Sequence, residues 1–269
     1  MISVRRIAVS LLLVISTLCL VPRLATPDAY DEQFREELDA PPSARFPLGT
    51  DALGRNRLSR ILHGARTSLL LAPLAALVSV VLAAAAGITA AASGGTVNRV
   101  FEFVLDLMGS LPWLFVLIAV RAALPLDAGP VLITVVTFGL LALLGWAAPA
   151  RVIRNVVTQI RTQEFVRQAE ALGIRRHRLW TVQLLPNVMP VALAQVWVNL
   201  PLFILSEANL GLLGLGVSEP VPSLGTQMRE LESLSGLTSK PWLLAPVILL
   251  AVVVSCLWLI STSREEHAS

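Results

Sequence analysis

Residues 150–186 read ARVIRNVVTQIRTQEFVRQAEALGIRRHRLWTVQLLP, a polar island set between two long apolar runs. Seven arginines, Arg151, Arg154, Arg161, Arg167, Arg175, Arg176 and Arg178, stand in it against only Glu164 and Glu170. An arginine at the centre of a bilayer costs roughly 2.5–3.5 kcal/mol on insertion scales, so this stretch does not lie in hydrocarbon. An arginine excess beside membrane spans marks the cytoplasmic side. Within the island Thr162 is a candidate N-cap, and Glu164 falls in the first helical turn, where a carboxylate complements the helix dipole. Phe165, Ala169 and Leu172 follow at i, i+4 and i+7 and form one apolar stripe. Gly173 supplies the left-handed residue that ends a helix. The pattern predicts a short helix offered to the cytoplasm, with an apolar face for a partner to grip.

Outward from the island the chain is apolar. Of 269 residues 55% are hydrophobic and only 14% charged, and the mean hydropathy is +0.73. That balance fits a membrane protein rather than a soluble domain. Apolar runs predict spans at about 68–92, 100–124, 129–148, 187–205 and 242–262. A first span follows Arg5-Arg6, from Ile7 to Val21. The residues before Ala25 make a poor cleavage site, so this stretch reads as an uncleaved anchor. Six spans give an all-α polytopic fold with both termini, and the island, in the cytoplasm. The expected organisation is an N-terminal anchor at 1–22, an external segment at 23–67, a five-helix core at 68–262 carrying the loop 150–186, and a cytoplasmic tail at 263–269. Ala83 to Ala86 with Gly87 provide small residues for close helix approach.

The net charge of +3 is almost all arginine, with Lys240 the only lysine. The arginines gather at predicted membrane borders and no basic patch is interleaved with aromatics, which speaks against a nucleic-acid partner. Cys19 and Cys256 fall in apolar runs without metal-ligand spacing and read as unpaired core thiols. His63, His177 and His267 are far apart and read as surface residues. Polar residues in or near spans have two readings each. Glu102 and Asp106, four apart, either form a headgroup-level pair or partner Arg99, or they line an inner gate. Pro112 is expected to kink its helix. Asn199 and Glu207 either face a permeation path or satisfy bonds between helices.

Several short segments resemble one family. Ala169, Gly173 and Leu185-Pro186 match the spacing of the EAA loop, E-A-A-x3-G-x9-I-x-L-P, of binding-protein-dependent ABC importer permeases. Gly49-Thr50-Asp51-Ala52-Leu53-Gly54-Arg55 with Leu58-Ser59-Arg60 is similar to the GTDxLGRDxLSR segment of the dipeptide/oligopeptide/nickel branch. Gly64-Ala65-Arg66-Thr67-Ser68-Leu69 resembles its GARxSL, Asp106 and Pro112 its D-x5-P, and Trp146 with Ala150-Arg151 and Arg154 its W-x3-AR-x2-R. Leu185-Pro186-Asn187, Glu207-Ala208 and Leu213-Gly214-Leu215-Gly216 resemble its LPN, EA and LGLG. Arg167, Gln168 and Gln183 replace the loop's glutamate, first alanine and isoleucine, and Asn56 replaces the aspartate of GRD.

The resemblance implies a type I ABC importer permease in a bacterial inner membrane. It implies a second permease subunit (a heterodimer), two cytoplasmic ATPases and an extracytoplasmic substrate-binding protein as partners, with lipid around the spans. Substrate would be a peptide or similar small solute, moved by alternating access. Contact with the ATPase is expected through Phe165, Ala169, Leu172 and Gly173, with Arg175, Arg176 and Arg178 as a charged rim. Asp106, Pro112, Asn199 and Glu207 are candidates for the translocation path. Asp51, Arg55 and Arg66 belong to a cluster that reads either as a solvated interfacial helix or as an external rim for a partner. A second functional reading is a membrane scaffold or sensor that kept the permease fold without transporting.

The sequence speaks against an enzyme. A phosphate-binding loop ends in G-K-[ST], and Lys240 lies between Ser239 and Pro241. No cofactor is expected on the chain itself, and ATP and Mg2+ belong to the partner ATPases. An ion-coupled carrier would show inverted repeats and central carboxylates, which the sequence lacks. The purified chain is expected to turn over no ATP in a phosphate-release assay. Turnover in a preparation free of ATPase subunits would refute that expectation.

Overall fold

The structure, a computed structural model, describes residues 2–93, 95–125, 127–175, 178–232 and 240–265. Among the described residues it is all-α. The one extended pairing is an isolated antiparallel bridge between Thr50 and Asn56. The helices are α1 (Ile2–Leu20), α2 (Arg57–Ser93), α3 (Gly95–Ser110), α4 (Trp113–Ala123), α5 (Pro130–Gly145), α6 (Ala147–Arg161), α7 (Glu164–Ala171), α8 (Leu185–Leu212), α9 (Leu224–Met228) and α10 (Ala245–Glu265). A π-helical turn, Leu179–Leu184, leads into α8.

Four stretches are long and apolar enough to cross a membrane: Arg57–Ser93, Pro130–Arg161, Leu179–Leu212 and Pro241–Ser261. The bent pair Gly95–Ser110 and Phe115–Ala123, at 84° to each other, makes a fifth if it counts as one span. The sequence predicts six; by length and composition alone the described residues give four, or five with the bent pair, and α1 is not among them. The third predicted span, 100–124, is the bent pair. Pro112 stands in the break, where it can give no backbone N–H to a continuing helix.

Contacts group the chain into two compact units that do not follow its linear order: Met1–Pro73, Val120–Gly139 and Leu200–Ser269 form one, and Leu74–Ala119 with Leu140–Asn199 the other. In the first unit α1 packs along α10, burying Cys19 and Cys256 as free thiols. The segment before α2 folds into a loop around Phe46, whose ring centroid lies 5.1 Å from that of Phe34, with the Arg45 guanidinium over both rings. Gly211 of α8 touches backbone directly. A β-carbon there would sit 2.4 Å from Gly225 Cα, so a larger residue would push the α8 end off the Ser223 turn.

In the second unit the later part of α2, α3, α6 and the start of α8 enclose one core, with Val80, Ala83, Phe101, Leu105, Ile153, Val157 and Val188 buried. Gly87 faces α6, where a β-carbon would meet the Ala150 carbonyl at 2.8 Å. The alanine-rich run thus does what its small residues predict. α6 is amphipathic: Ala150, Ile153 and Val157 are buried, Arg151 and Arg161 are exposed, and Arg154 is largely covered.

Asn56 caps α2 and explains a departure from the family pattern. Its Oδ1 accepts the Leu58 N–H at 3.0 Å, while its Nδ2 donates to Asp28 Oδ2 at 2.7 Å and to Thr26 Oγ1 at 3.2 Å. A carboxylate at position 56 would cap equally well but would face Asp28 with the wrong charge. Asn56→Asp should lose roughly 1–3 kcal/mol in neutral buffer, the cost of a broken buried hydrogen bond. Mildly acidic buffer should restore much of that loss, because one proton shared by the two carboxyls removes the repulsion. Thermal unfolding in detergent at both conditions checks this, and a wild-type midpoint in neutral buffer would refute it.

Candidate functional site

The island folds as α6, a turn, α7 and a second turn. α6 runs on to Arg161, so Thr162 caps its C-terminal end: its Oγ1 donates to the Gln159 carbonyl at 2.7 Å. The expected N-cap role of Thr162 is therefore corrected, and the Gln163 carbonyl takes the first N–H groups of α7, from Val166 and Arg167. Glu164 occupies the first turn as expected.

The apolar stripe is split by the packing. Val166 and Ala169 are buried against Leu179 and Leu184, flanked by Ile160, Ile174 and Trp180. Phe165 is 43% exposed and Leu172 81% exposed. Ala169 therefore serves its own chain, and the side chains left for a partner are Phe165 and Leu172. Val166 was missed by the sequence reading, although Val166 and Ala169 at i and i+3 fit a helical face as well as Phe165 and Ala169 do. Gly173 ends the helix at φ +71°. The Ile174 N–H reaches back to the Ala169 carbonyl at 3.1 Å, and Ile174 packs on the same cluster, which is the Schellman arrangement. Nothing lies within 4 Å of a β-carbon placed on Gly173, so the demand there is conformational alone. Arg167, Arg175 and Arg178 are exposed and enter no ion pair among the described residues. Arg176 and His177 lie outside the described residues.

The earlier arginines of the island are held. Arg154 bonds Glu102 Oε1 at 2.7 Å and Asn98 Oδ1 at 2.6 Å, and Arg151 pairs with Asp106 at 2.8 Å. Arg161 donates to the Ala91 carbonyl. Glu102 and Asp106 thus meet the α6 arginines rather than Arg99. Of the path candidates, Asp106 is an exposed partner of Arg151 and Pro112 sits exposed in the α3–α4 break. Asn199 donates to the Gln195 carbonyl one turn back, at 2.8 Å. Glu207 is fully buried: Ser68 Oγ donates to its Oε2 at 2.6 Å, and the Leu224 N–H donates to Ser68 Oγ. Ser223 and the Gly225 backbone are also close, yet Oε1 receives no well-formed hydrogen bond.

Asp51 and Arg55 stand in a network of hydrogen bonds and ion pairs and expose little of their own side chains. Asp51 Oδ1 accepts the Leu53 and Arg55 N–H groups, and its Oδ2 takes the Arg55 Nε at 2.6 Å. Glu219 receives Arg60 Nη2 at 2.6 Å and Arg55 Nη1 at 3.0 Å. Arg57 reaches Glu230 at 3.0 Å and Asp39 at 3.3 Å. Arg57 and Arg60 are buried, whereas Arg66 is exposed. Burial pushes the Glu230 carboxyl up, and the Arg57 guanidinium pulls it part of the way back. Beside this network lies a cavity of about 460 Å3 whose lining includes Arg55, Arg60, Arg121, Glu219, Arg229 and Glu230. The sequence reading did not connect Arg121, Glu219 or Glu230 to Asp51 and Arg55, because they come from segments far apart in the chain.

Helices of this length and apolarity, broken by one arginine-bearing polar stretch, define a multi-pass membrane protein. Residues 69–263 match the family described as the binding-protein-dependent transport system inner membrane component. The chain is 31% identical over 255 residues to the oligopeptide transport system permease protein OppC of Mycobacterium tuberculosis, covering 94% of this chain and 85% of that one. It is 35% identical over 224 residues to the di/tripeptide transport system permease protein DppC of Pseudomonas aeruginosa (81% and 72% covered) and 30% over 220 residues to the dipeptide transport system permease protein DppC of Bacillus subtilis (82% and 67%). The chain belongs to this family, in the dipeptide/oligopeptide branch of the ABC importer permeases, and is a permease subunit rather than an enzyme. The motifs that resemble this branch meet in space: Ser68 with Glu207, and Arg151 with Asp106.

The two α6 pairs are unequal. Arg151 and Asp106 are both more than half exposed, and such pairs contribute under about 1 kcal/mol. Arg154 is mostly buried with several acceptors. Arg154→Gln should cost roughly 1–3 kcal/mol and Arg151→Gln a few tenths, read as thermal unfolding midpoints. Equal shifts for the two variants would show that the ladder is not anchored at Arg154.

Proposed function

We propose that this chain is one transmembrane subunit of an ATP-driven importer of short peptides, with α7 as the element that couples ATPase closure to alternating access. Support for the substrate comes from its relatives, whose names give oligopeptides, dipeptides and di/tripeptides. The observation that carries the coupling role is a short helix buttressed from behind by Val166 and Ala169 while Phe165 and Leu172 stand exposed. In this reading the exposed Arg175 and Arg178, which follow the left-handed turn at Gly173, supply a cationic rim for the partner, together with Arg176 of the same sequence run. Arg167, in place of the family's glutamate, then calls for an acidic complement on the ATPase.

The partners in this reading are a second, similar permease, two ATPases that hold ATP and Mg2+, and an extracytoplasmic binding protein that delivers substrate. Residues 150–186 and both termini lie in the cytoplasm of a bacterial cell bounded by this inner membrane. Residues 1–22 anchor the chain, 23–67 lie outside, 68–262 form the permease core and 263–269 a cytoplasmic tail. A non-transporting scaffold is not favoured, since every relative named above is a transport-system permease.

Burying Phe165 and Leu172 in an ATPase groove would contribute roughly 1.5–3 kcal/mol each. Phe165→Ala combined with Leu172→Ala should therefore abolish substrate-stimulated ATPase activity and weaken co-purification of the ATPase subunits. Gly173→Asp should do the same by opposing the left-handed turn, at about 1 kcal/mol, and re-aiming the arginines. All variants should still insert, because these residues lie outside the spans. Wild-type transport and assembly in both variants would remove α7 from the coupling role.

A further inference from the structure

The cavity of the first unit contains cationic groups that the network does not satisfy. Four arginines, Arg55, Arg60, Arg121 and Arg229, line it against two glutamates, Glu219 and Glu230. Arg55 spends its Nε on Asp51 and its Nη1 on Glu219. Arg60, only 3% exposed, gives Nη2 to Glu219, but its Nη1 is buried without any hydrogen-bond partner. Arg121, on α4, forms no ion pair among the described residues, and its Nη1 is likewise buried without a partner. Buried donors of this kind are rare in folded proteins, and an arginine cannot relieve the strain by losing its proton. Two guanidiniums of one lining each keep an Nη1 without a partner, and the planar donors of an arginine head match the two oxygens of a carboxylate.

We propose that this cavity binds the terminal carboxylate of a short peptide through Arg60 and Arg121. The volume of about 460 Å3 suits a peptide of a few residues and falls within the roughly 300–1,000 Å3 of small-molecule sites. Glu219 and Glu230 belong to the same lining but are already paired with Arg55, Arg60 and Arg57, so it is the arginine donors that set the preference for a carboxylate. In the topology proposed above the cavity opens at the external face, so this chain would itself meet substrate after release from the binding protein. The assignment to peptide rests on the importer reading, while the carboxylate chemistry rests on the two arginines alone.

The test uses the whole importer complex in nanodiscs without its binding protein, with dialanine, dialanine amide and inorganic phosphate as probes in calorimetric titrations. Dialanine should bind, and the amide and phosphate should bind at least roughly tenfold more weakly, the margin of one charge-assisted hydrogen bond. Arg121→Gln should weaken dialanine roughly ten- to hundredfold on the same ground. Should that variant fail to assemble, Arg121→Lys, which keeps the charge but loses the fork, should still bind dialanine more weakly than wild type. Equal affinity for dialanine and its amide, or an undiminished affinity in the Arg121 variants, would overturn the site. Phosphate binding as tight as dialanine would reduce it to a general anion site and overturn the peptide assignment. Absence of dialanine binding in a complex that still transports dialanine would remove the site and leave the importer standing. Arg121-dependent binding of dialanine in a complex that transports no peptide would do the reverse.

Discussion

Hydrocarbon offers no hydrogen-bond partners, so every backbone N–H and C=O within a membrane must be satisfied by the chain itself. That constraint accounts for the all-helical architecture and for where its exceptions fall. The left-handed glycine at Gly173, the π-helical turn at Leu179–Leu184 and the capped turn at Ser223 lie beside the polar island or next to the loops. Where the backbone breaks at Pro112, the helix changes direction and begins again. Small residues follow from the same constraint. Gly87 and Gly211 bring backbones together at distances that a β-carbon forbids, because dispersion contacts must replace the hydrophobic effect between helices in lipid.

Arginine is the other organising element, and the structure treats it in three ways. Arg55, Arg57 and Arg60 are drawn into a carboxylate network of Asp39, Asp51, Glu219 and Glu230. A guanidinium stays charged at any accessible pH, so burying it requires acids to be recruited from distant segments. Arg151, Arg154 and Arg161 instead tie α6 to α3 and to the end of α2, which fixes the platform under α7. Arg175 and Arg178 are left in the open, where charge acts at a distance on an incoming partner more than on stability. The Asp51 cluster therefore stiffens the loop before α2, while Arg66 stands exposed.

Coupling through α7 depends on stiffness behind and stickiness in front. Val166, Ala169 and Ile174 anchor one face, and the Schellman turn at Gly173 prevents the helix from running on. A short helix so held transmits a push rather than fraying, since isolated helices of this length are marginal in water. Phe165 and Leu172 lie on the face that remains.

By itself the sequence determined the helical class, the central parts of four long spans, the polar island, the left-handed turn at Gly173 and the family. Each of these is written in local composition, period or motif, and each follows from chemistry within a turn or two of chain. It also placed Glu164 in a first turn. The tertiary structure alone decided that α7 rolls so that Ala169 joins Val166 inside and not Phe165 outside. Helical positions three and four apart fit a stripe equally well, and only the neighbouring Leu179 and Leu184 break that tie. It decided that Asp106 and Glu102 belong to Arg151 and Arg154, that Glu207 is sealed by Ser68, and that Arg121 shares a cavity with Arg60. Those partners lie far apart along the chain, and charge recognises charge only after packing has brought the segments together.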